Sequence, residues 1–288
     1  MMFSTLIDAT ALRGLVGKPG IAVIDCRFDL ANPEAGRGAY LAGHIPGARY
    51  ADLNRDLSGP VTAASGRHPL PSPNDLVAAL ERLGIGSDSQ VIAYDDSAGA
   101  FAARAWWLLR WAGHRAAAVL DGGIKAWLAA GGALESGIPA AAVEAAQGAA
   151  RFPARVDETA VLDAADVENL LKDPEFLLVD ARAAERFAGS VEPIDPVAGH
   201  VAGAVNQPFS ANIGPDGRFL PPAELRRLWD KRLAGREPSR VAAMCGSGVT
   251  ACHNLLSLEV AGLSGAKLYA GSWSEWIRDP KRPIARGA

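Results

Sequence analysis

The stretch Arg240-Val241-Ala242-Ala243-Met244-Cys245-Gly246-Ser247-Gly248-Val249-Thr250-Ala251 predicts a strand, a tight loop and the beginning of a helix. Residues 240–244 form a mostly apolar run of the kind found in buried strands. After the loop, apolar residues recur at steps of 3, 4 and 4 from Val249 to Val260, as on one face of a helix. Cys245 is therefore predicted to lie where a strand ends and a helix begins.

The loop after Cys245 has the composition of an anion cradle. Two glycines within four residues let the backbone curl and bring several N–H groups to one point. That point is also near the positive end of the helix dipole. Main-chain N–H groups and the dipole both favour a negatively charged sulfur, so Cys245 is a candidate nucleophile. The residues expected to bind a substrate at this loop are Gly246, Gly248, Val249 and Thr250.

The loop sequence allows three other interpretations. A lone cysteine near a strand end is commonly just a small buried hydrophobe. Residues 246–251 also fit the G-x-G-x-x-A dinucleotide fingerprint, but the strand candidate at 266–270 is followed by glycine and not by the acid that the fingerprint requires. A Cys-x5-Arg phosphatase needs an arginine to hold phosphate, and Ala251 occupies that position.

The composition limits which classes of protein this chain can belong to. The chain has 288 residues, 49% of them hydrophobic and 21% charged, with a formal net charge of −3, as expected for a soluble protein of two domains. It contains no basic block and no apolar run of membrane-spanning length, which argues against nucleic acid or a membrane as partner. Residues 1–20 show no secretion-signal pattern. Three cysteines without a C-x-x-C pair argue against a disulfide scaffold or zinc site, so we expect a reducing, cytoplasmic location.

The two halves of the chain carry the same motifs in the same order, offset by about 150 residues. The matched pairs are Ala22–Arg27 with Leu177–Arg182, Gly43–Ala48 with Gly199–Ala204, Val91–Asp95 with Val241–Cys245, and Gly122–Trp127 with Gly271–Trp276. In each half, apolar strands alternate with helical patterns, for example over 75–83 and 102–112. The fold class predicted is α/β, with two copies of a domain that has a mostly parallel sheet flanked by helices on both faces.

The expected boundaries are a first domain at 1–139, a linker at 140–155, a second domain at 156–288, and an irregular tail from 279. The copies differ where chemistry is expected, because the first has Asp95 at the position of Cys245. A carboxylate cannot act as a sulfur nucleophile, so only the second copy is expected to be active. Features present in both copies, such as His44 and His200, are interpreted as structural.

The repeated Asp-x-Arg, the Gly-His-Ile-Pro-Gly-Ala stretch at 43–48, Cys-Gly-Ser-Gly-Val-Thr at 245–250 and Gly-Ser-Trp-Ser-Glu-Trp at 271–276 resemble a tandem-domain rhodanese-type sulfurtransferase over nearly the whole chain. The resemblance implies that Cys245 takes a sulfur atom from a small-molecule donor as a persulfide and passes it to a thiophilic acceptor such as cyanide or a thiol. It implies no metal or organic cofactor. A thioredoxin-like reductant is a further expected partner.

The resemblance also addresses the donor. The neutral loop at 246–248 is similar to that of family members that use 3-mercaptopyruvate, since a dianion such as thiosulfate gains less attraction there. Ser247 would then hydrogen-bond the donor or relay a proton, with a plain turn serine as the alternative. Arg186 matches the family's substrate-binding arginine and could hold a carboxylate by two parallel hydrogen bonds. Arg182 is instead expected to brace the fold beside Asp180.

Three positions bear on the identity of the sulfur donor and leave it open. The mercaptopyruvate group carries a second arginine where this chain has Asp195, and an acid there should repel an anionic donor unless the loop turns it away. That group also uses an aspartate of the first domain near the serine; here Asn54 aligns with it, and Asp52 is nearby. His68 matches a family histidine and could act as acid or base, or be a surface-loop histidine.

The remaining cysteines have simpler interpretations. Cys252 lies two helical turns beyond Cys245 and is expected to be inert inside the helix packing. Cys26 corresponds to Ala181 in the second copy and is interpreted as core filler. Besides an enzyme, two functions stay open: a carrier that hands persulfide to a protein partner, and a redox sensor. Arg186 with a complete loop favours the enzyme, whereas a sensor would form a disulfide between Cys245 and Cys252 on peroxide treatment.

Overall fold

The computed structural model describes residues 2–138 and 152–287, which form two compact units. Unit 1 comprises Met1–Gly59, Leu70–Asp157 and Asp216–Arg218; unit 2 comprises Pro60–Pro69, Glu158–Pro215 and Phe219–Ala288. Residues 60–69, from the first half of the sequence, therefore belong to unit 2. Apart from residues 152–155, the linker expected over 140–155 lies outside the described residues, and the predicted domain boundaries stay a prediction.

Unit 1 is built on a five-stranded sheet of order β1-β5-β4-β2-β3 in which every pairing is parallel. The strands are β1 (Leu6–Ile7), β2 (Ile21–Asp25), β3 (Arg49–Tyr50), β4 (Gln90–Tyr94) and β5 (Ala117–Leu120). The helices are α1 (Ala9–Arg13), α2 (Glu34–Ala42), α3 (Pro73–Arg82), α4 (Ala102–Trp111) and α5 (Gly123–Ala129). The helices predicted over 75–83 and 102–112 are thus α3 and α4, with small shifts at their ends.

Unit 2 repeats that order in a second parallel sheet, β6-β11-β10-β7-β9. The strands are β6 (Val161–Leu162), β7 (Leu177–Asp180), β8 (His200–Val201), β9 (Val205–Asn206), β10 (Val241–Met244), β11 (Lys267–Tyr269) and β12 (Ile284–Ala285). The helices are α6 (Ala164–Leu170), α7 (Ala184–Ala188), α8 (Pro222–Leu233), α9 (Thr250–Val260) and α10 (Ser272–Trp276), with 3-10 turns at Glu158–Ala160, Phe209–Asn212 and Pro238–Arg240. The predicted strand and helix around Cys245 are β10 and α9, so the predicted fold class is confirmed.

Two details of unit 2 differ from expectation. The tail was expected to be irregular, but Ile284 and Ala285 form β12, which pairs antiparallel with β8. Helix α9 was expected to present one apolar face, but Ala251 to Leu258 are all buried. Buried polar residues of α9 are satisfied within the unit: the Asn254 side chain donates to the Gln207 carbonyl oxygen at 2.9 Å. Because these bonds come from residues distant in sequence, helical periodicity could not reveal them.

The repeated Asp-x-Arg motif braces each unit at the carboxyl end of a central strand. In unit 2 the Arg182 guanidinium donates to the Asp180 carboxylate at 2.7 Å and to the Gly199 carbonyl at 2.8 Å. Arg27 makes the same bonds to Asp25 and Gly43 in unit 1. Both carboxylates are fully buried. The expectation that Arg182 braces the fold is confirmed by this duplicated geometry.

The two repeated histidines are also held alike. His44 Nδ1 lies 2.8 Å from the Tyr40 carbonyl oxygen, and the two rings stack. His200 Nδ1 lies 2.8 Å from the Phe187 carbonyl oxygen, and that ring stacks on Phe187. Buried histidines fixed in the same way in both units fit the structural interpretation.

Asp180→Ala is expected to destabilise the protein by about 3–5 kcal/mol, because it leaves the buried Arg182 guanidinium without its main counter-charge. The matched control is Asp230→Ala, which removes the partner of Arg226 in a pair whose side chains are each 52% exposed. That control should cost less than about 1 kcal/mol. Urea denaturation measures both; equal destabilisation would contradict the bracing role.

Among the described residues, no helix is both long and apolar enough to span a membrane.

Candidate active site

Cys245 follows β10 directly, and its sulfur atom is held by the loop that it begins. The main-chain N–H groups of Ser247 and Gly248 donate to Cys245 Sγ at 3.4 and 3.1 Å. The Cys245 N–H itself donates to Ser272 Oγ at 3.0 Å. The residue is only 2% exposed. Two N–H donors directed at one sulfur stabilise a negative charge on it, as the sequence predicts for this cradle.

The cradle depends on the backbone conformation at Gly248. Its φ is +75°, and a Cβ there would lie 2.3 Å from the Ala270 carbonyl oxygen. A side chain is therefore excluded both by strain and by space. Beyond it, Val249 caps α9 and Thr250 begins it, so the helix N-terminus lies beside the sulfur-binding loop.

Ser247 is joined to a histidine from residues 60–69. His68 Nδ1 lies 2.8 Å from Ser247 Oγ, and both residues are buried. The alternative of an exposed surface-loop histidine is therefore wrong, whereas the role of Ser247 stays a prediction. The donor and acceptor roles in this pair depend on the histidine tautomer.

Residues 60–69 are anchored against the short helix α10. The Arg67 N–H donates to Ser274 Oγ at 3.0 Å. A Cβ on Gly66 would lie 2.5 Å from the Gly271 carbonyl oxygen, so only glycine allows this approach. The sequence contains the residues of this contact but nothing that indicates it, because the two partners of the hydrogen bond are 207 positions apart.

Arg186 was expected to donate two parallel hydrogen bonds to a substrate carboxylate, but carboxylates of the protein already accept them. Nε and Nη2 donate to Glu192 Oε1 at 3.1 and 2.7 Å, and Nη2 also donates to Asp195 at 3.1 Å. Two-pronged binding of a substrate carboxylate through this edge is therefore ruled out while Glu192 is in place. Nη1 remains, with no hydrogen-bond partner among the described residues.

Glu192 carries the charge that holds Arg186. Burial would raise the pKa of the Glu192 carboxyl, but the Arg186 guanidinium and the N–H groups of Asp195 and Ile194 outweigh burial and hold that pKa below its ordinary value. A carboxyl with a lowered pKa stays ionised, and keeps its contribution to the folded state, until the pH falls through that lowered value. Glu192 was not recognised in the sequence as a site residue.

Asp195 does not face an anionic donor unpaired. Its carboxylate accepts from Arg186 on one oxygen and from Arg67 on the other, and its side chain is 2% exposed. The expected repulsion is therefore offset by two guanidinium groups. Arg67 was not identified in the sequence analysis, although it directly precedes His68.

The corresponding loop of unit 1 is closed around a carboxylate. Asp95 accepts main-chain N–H groups from Ser97, Gly99, Phe101 and Ala102 at 2.8 to 2.9 Å. Burial raises its pKa, and these four donors oppose that rise. The carboxylate thus takes up the N–H groups of this loop, and the inactivity of unit 1 stays a prediction.

The remaining candidate and the other two cysteines are held within their own units. Asp52 belongs to unit 1, where its carboxylate accepts the N–H groups of Asn54 and Arg55 at 2.8 and 3.0 Å; a role at the site stays a prediction. Cys252 is fully buried in α9, and its Sγ donates to the Gly248 carbonyl at 3.3 Å. Cys26 is buried in unit 1, where burial raises the pKa of its thiol well above the ordinary value.

Comparisons with known proteins agree with this geometry. A family model described as "Rhodanese-like domain" matches residues 8–130 and 163–279. The chain is 50% identical, over the full length of both, to a Pseudomonas aeruginosa protein described as "Probable 3-mercaptopyruvate sulfurtransferase". It is 34% identical to a Bos taurus thiosulfate sulfurtransferase over 95% of this chain and 91% of that one. The structure of the 3-mercaptopyruvate sulfotransferase SseA from Escherichia coli matches with a TM-score of 0.78 and 31% identity, over 95% of this chain and 100% of that one.

Proposed function

Because the chain belongs to the family of rhodanese-type sulfurtransferases, as both of its domains and its relatives show, we propose that Cys245 carries the transferred sulfur as a persulfide. One observation supports this most strongly: the N–H groups of Ser247 and Gly248 converge on Cys245 Sγ. The cradle that stabilises a thiolate also suits the negative charge of a persulfide.

The first half-reaction takes sulfur from 3-mercaptopyruvate. The Cys245 thiolate attacks the donor sulfur, a new S–S bond forms, and the C–S bond of the donor breaks. The electron pair of that bond stays on the carbon as the enolate of pyruvate. The donor's thiol proton moves to that carbon, so the products are the Cys245 persulfide anion and pyruvate.

Ser247 and His68 are suited to move that proton. Their side chains form one buried hydrogen-bonded pair at 2.8 Å, and the main-chain N–H of Ser247 donates to the attacking sulfur. A hydroxyl linked to an imidazole can accept a proton from the donor thiol and return it to the enolate carbon. We therefore assign Ser247 and His68 to proton relay between donor and product.

The second half-reaction returns the enzyme to its starting state. Cyanide attacks the outer sulfur of the persulfide, the S–S bond breaks, and thiocyanate leaves while Cys245 regains its thiolate. A thiol acceptor would leave instead as a persulfide. None of the three cysteines is in a disulfide, which fits a reducing, cytoplasmic compartment where a thioredoxin-like reductant can serve as that thiol.

The charge of the site favours one sulfur donor over the other. The loop at 246–248 is uncharged, and the nearby arginines Arg67 and Arg186 are matched by the carboxylates of Asp195 and Glu192. A site without net positive charge attracts a dianion such as thiosulfate less strongly than a cationic loop would. The monoanion 3-mercaptopyruvate is therefore the donor we propose.

Thiocyanate formation from cyanide, measured with each donor in turn, tests the assignment. We expect kcat/KM to be at least about tenfold higher for 3-mercaptopyruvate than for thiosulfate, which corresponds to about 1.4 kcal/mol of differential transition-state binding. Raising the ionic strength provides a control. If the site attracted thiosulfate through net charge, its affinity for thiosulfate would fall more steeply with added salt than its affinity for 3-mercaptopyruvate. A higher kcat/KM for thiosulfate would overturn the donor assignment and leave the persulfide intact.

A further inference from the structure

Two guanidinium groups and one carboxylate form a linked row beside the sulfur-binding loop. Asp195 uses one oxygen to accept from Arg67 Nη1 and the other to accept from Arg186 Nη2, the second at 3.1 Å. Arg67 comes from residues 60–69 and Arg186 from α7. Asp195, with its side chain 2% exposed, therefore connects two cations from distant parts of the sequence.

Gly246 lies where the two arginines of this row contact the sulfur-binding loop. A Cβ on Gly246 would lie 3.0 Å from Arg67 Nη2 and 3.6 Å from Arg186 Nη1. Both guanidinium groups thus lie against the residue that directly follows Cys245. An alanine there would push into Arg67, so the absent side chain lets the two groups lie against the sulfur-binding loop.

Several N–H groups of Arg67 and Arg186 make no hydrogen bond to the described residues. Among the described residues, no hydrogen-bond partner exists for Arg67 Nη2 or Arg186 Nη1, and Arg67 Nε is buried without one. A buried donor without a partner, such as Arg67 Nε, is rare in folded proteins because it costs about 1–3 kcal/mol. Arg67 Nη2 and Arg186 Nη1 belong to side chains that are 27% and 17% exposed, and both lie beside Gly246, where an anionic ligand can accept hydrogen bonds from them.

We propose that Arg67 is a donor-binding residue, and that Asp195 is the positioning residue that holds Arg67 and Arg186 side by side for the carboxylate of the sulfur donor. This inference rests on the proposed function and adds a residue to it. Two guanidinium groups at close range repel each other, and the shared carboxylate of Asp195 offsets that repulsion. The donor carboxylate then accepts one hydrogen bond from each arginine, in place of a two-pronged bond from Arg186 alone.

The row also determines which sulfur donors are preferred. With Glu192 on Arg186 and Asp195 between the arginines, two positive and two negative charges balance. Binding therefore depends on directed N–H groups and not on net charge, which suits a planar carboxylate. Methyl 3-mercaptopyruvate, the ester of the donor, keeps the reacting thiol but lacks the anion, so it should gain little from Arg67.

Arg67→Met tests the donor-binding role, with Arg226→Met as the control because Arg226 is an exposed arginine that forms an ion pair with Asp230. Loss of a hydrogen bond between charged groups is expected to raise KM for 3-mercaptopyruvate by about 10- to 100-fold. The rate at which cyanide removes preformed persulfide should stay at the wild-type value. Arg67→Lys keeps the charge and should have an intermediate KM, and circular dichroism verifies that each variant is folded.

Asp195→Asn tests the positioning role. It should raise KM for 3-mercaptopyruvate while the KM for the methyl ester changes little, and Asp195→Glu should restore part of the loss. If Arg67→Met and Arg226→Met have the same KM, or if both donors lose equally, the inference is overturned and the persulfide mechanism stands. If the wild-type protein forms no persulfide from 3-mercaptopyruvate, the proposed function and this inference are overturned together.

Discussion

Cys245→Ser is expected to lower sulfur transfer to cyanide by about 10³-fold or more, since a serine hydroxyl is un-ionised near neutral pH and cannot hold a persulfide. The replacement changes one atom in a buried position that is 2% exposed, so the fold should persist. The N–H groups of Ser247 and Gly248 can still donate to the serine oxygen. The loss would therefore report the missing sulfur and not a collapsed loop.

The matched control is Cys26→Ala. Cys26 is also buried and free, and the second copy of the domain carries Ala181 at the corresponding position. This variant should keep wild-type turnover, measured as thiocyanate released per unit time at saturating donor. Comparable losses in both cysteine variants, or wild-type turnover in Cys245→Ser, would contradict the assignment of the nucleophile.

Gly248→Ala is expected to lower kcat by about 10²- to 10³-fold, the usual effect of withdrawing one main-chain donor from a developing negative charge. The added Cβ would meet the Ala270 carbonyl oxygen at 2.3 Å, so the loop must move. That movement takes the Gly248 N–H away from Cys245 Sγ. The variant should also unfold at a lower temperature, since alanine at positive φ is strained.

Gly262→Ala separates these two effects. Gly262 has a φ of +73°, close to the +75° of Gly248, but nothing lies within 4 Å of the added Cβ. It should share the cost of positive φ, about 1 kcal/mol, and keep full activity. Steady-state kinetics and thermal melting measure both quantities. Equal kcat in the two variants would show that the position of the Gly248 N–H is unimportant for sulfur transfer.

Local sequence patterns predicted the features that depend on neighbouring residues. The apolar run of β10, the two glycines of the loop and the helix beyond them are encoded within about twenty positions, and they place Cys245 correctly at the end of a strand. The duplicated Asp-x-Arg motif indicated a structural role, because the same pairing occurs in both copies although only the second has a cysteine after the strand.

What the sequence could not indicate depends on contacts between distant segments. Arg67 and Asp195 are separated by 128 positions, and His68 and Ser247 by 179. No periodicity relates such pairs, so Asp195 was expected to be repulsive and His68 stayed ambiguous. The same reason explains β12, whose two residues become a strand only because β8 lies beside them. Arg186 stays a predicted substrate-binding residue, and its partner Glu192 carried no signal in the sequence.

The mass of the intact protein after treatment with 3-mercaptopyruvate tests the persulfide at Cys245 most directly. The wild-type chain should gain the mass of one sulfur atom, lose it again when cyanide is added, and show no gain in the Cys245→Ser variant. A wild-type mass that does not change, or an identical gain in the variant without the thiol, would contradict a persulfide at this residue.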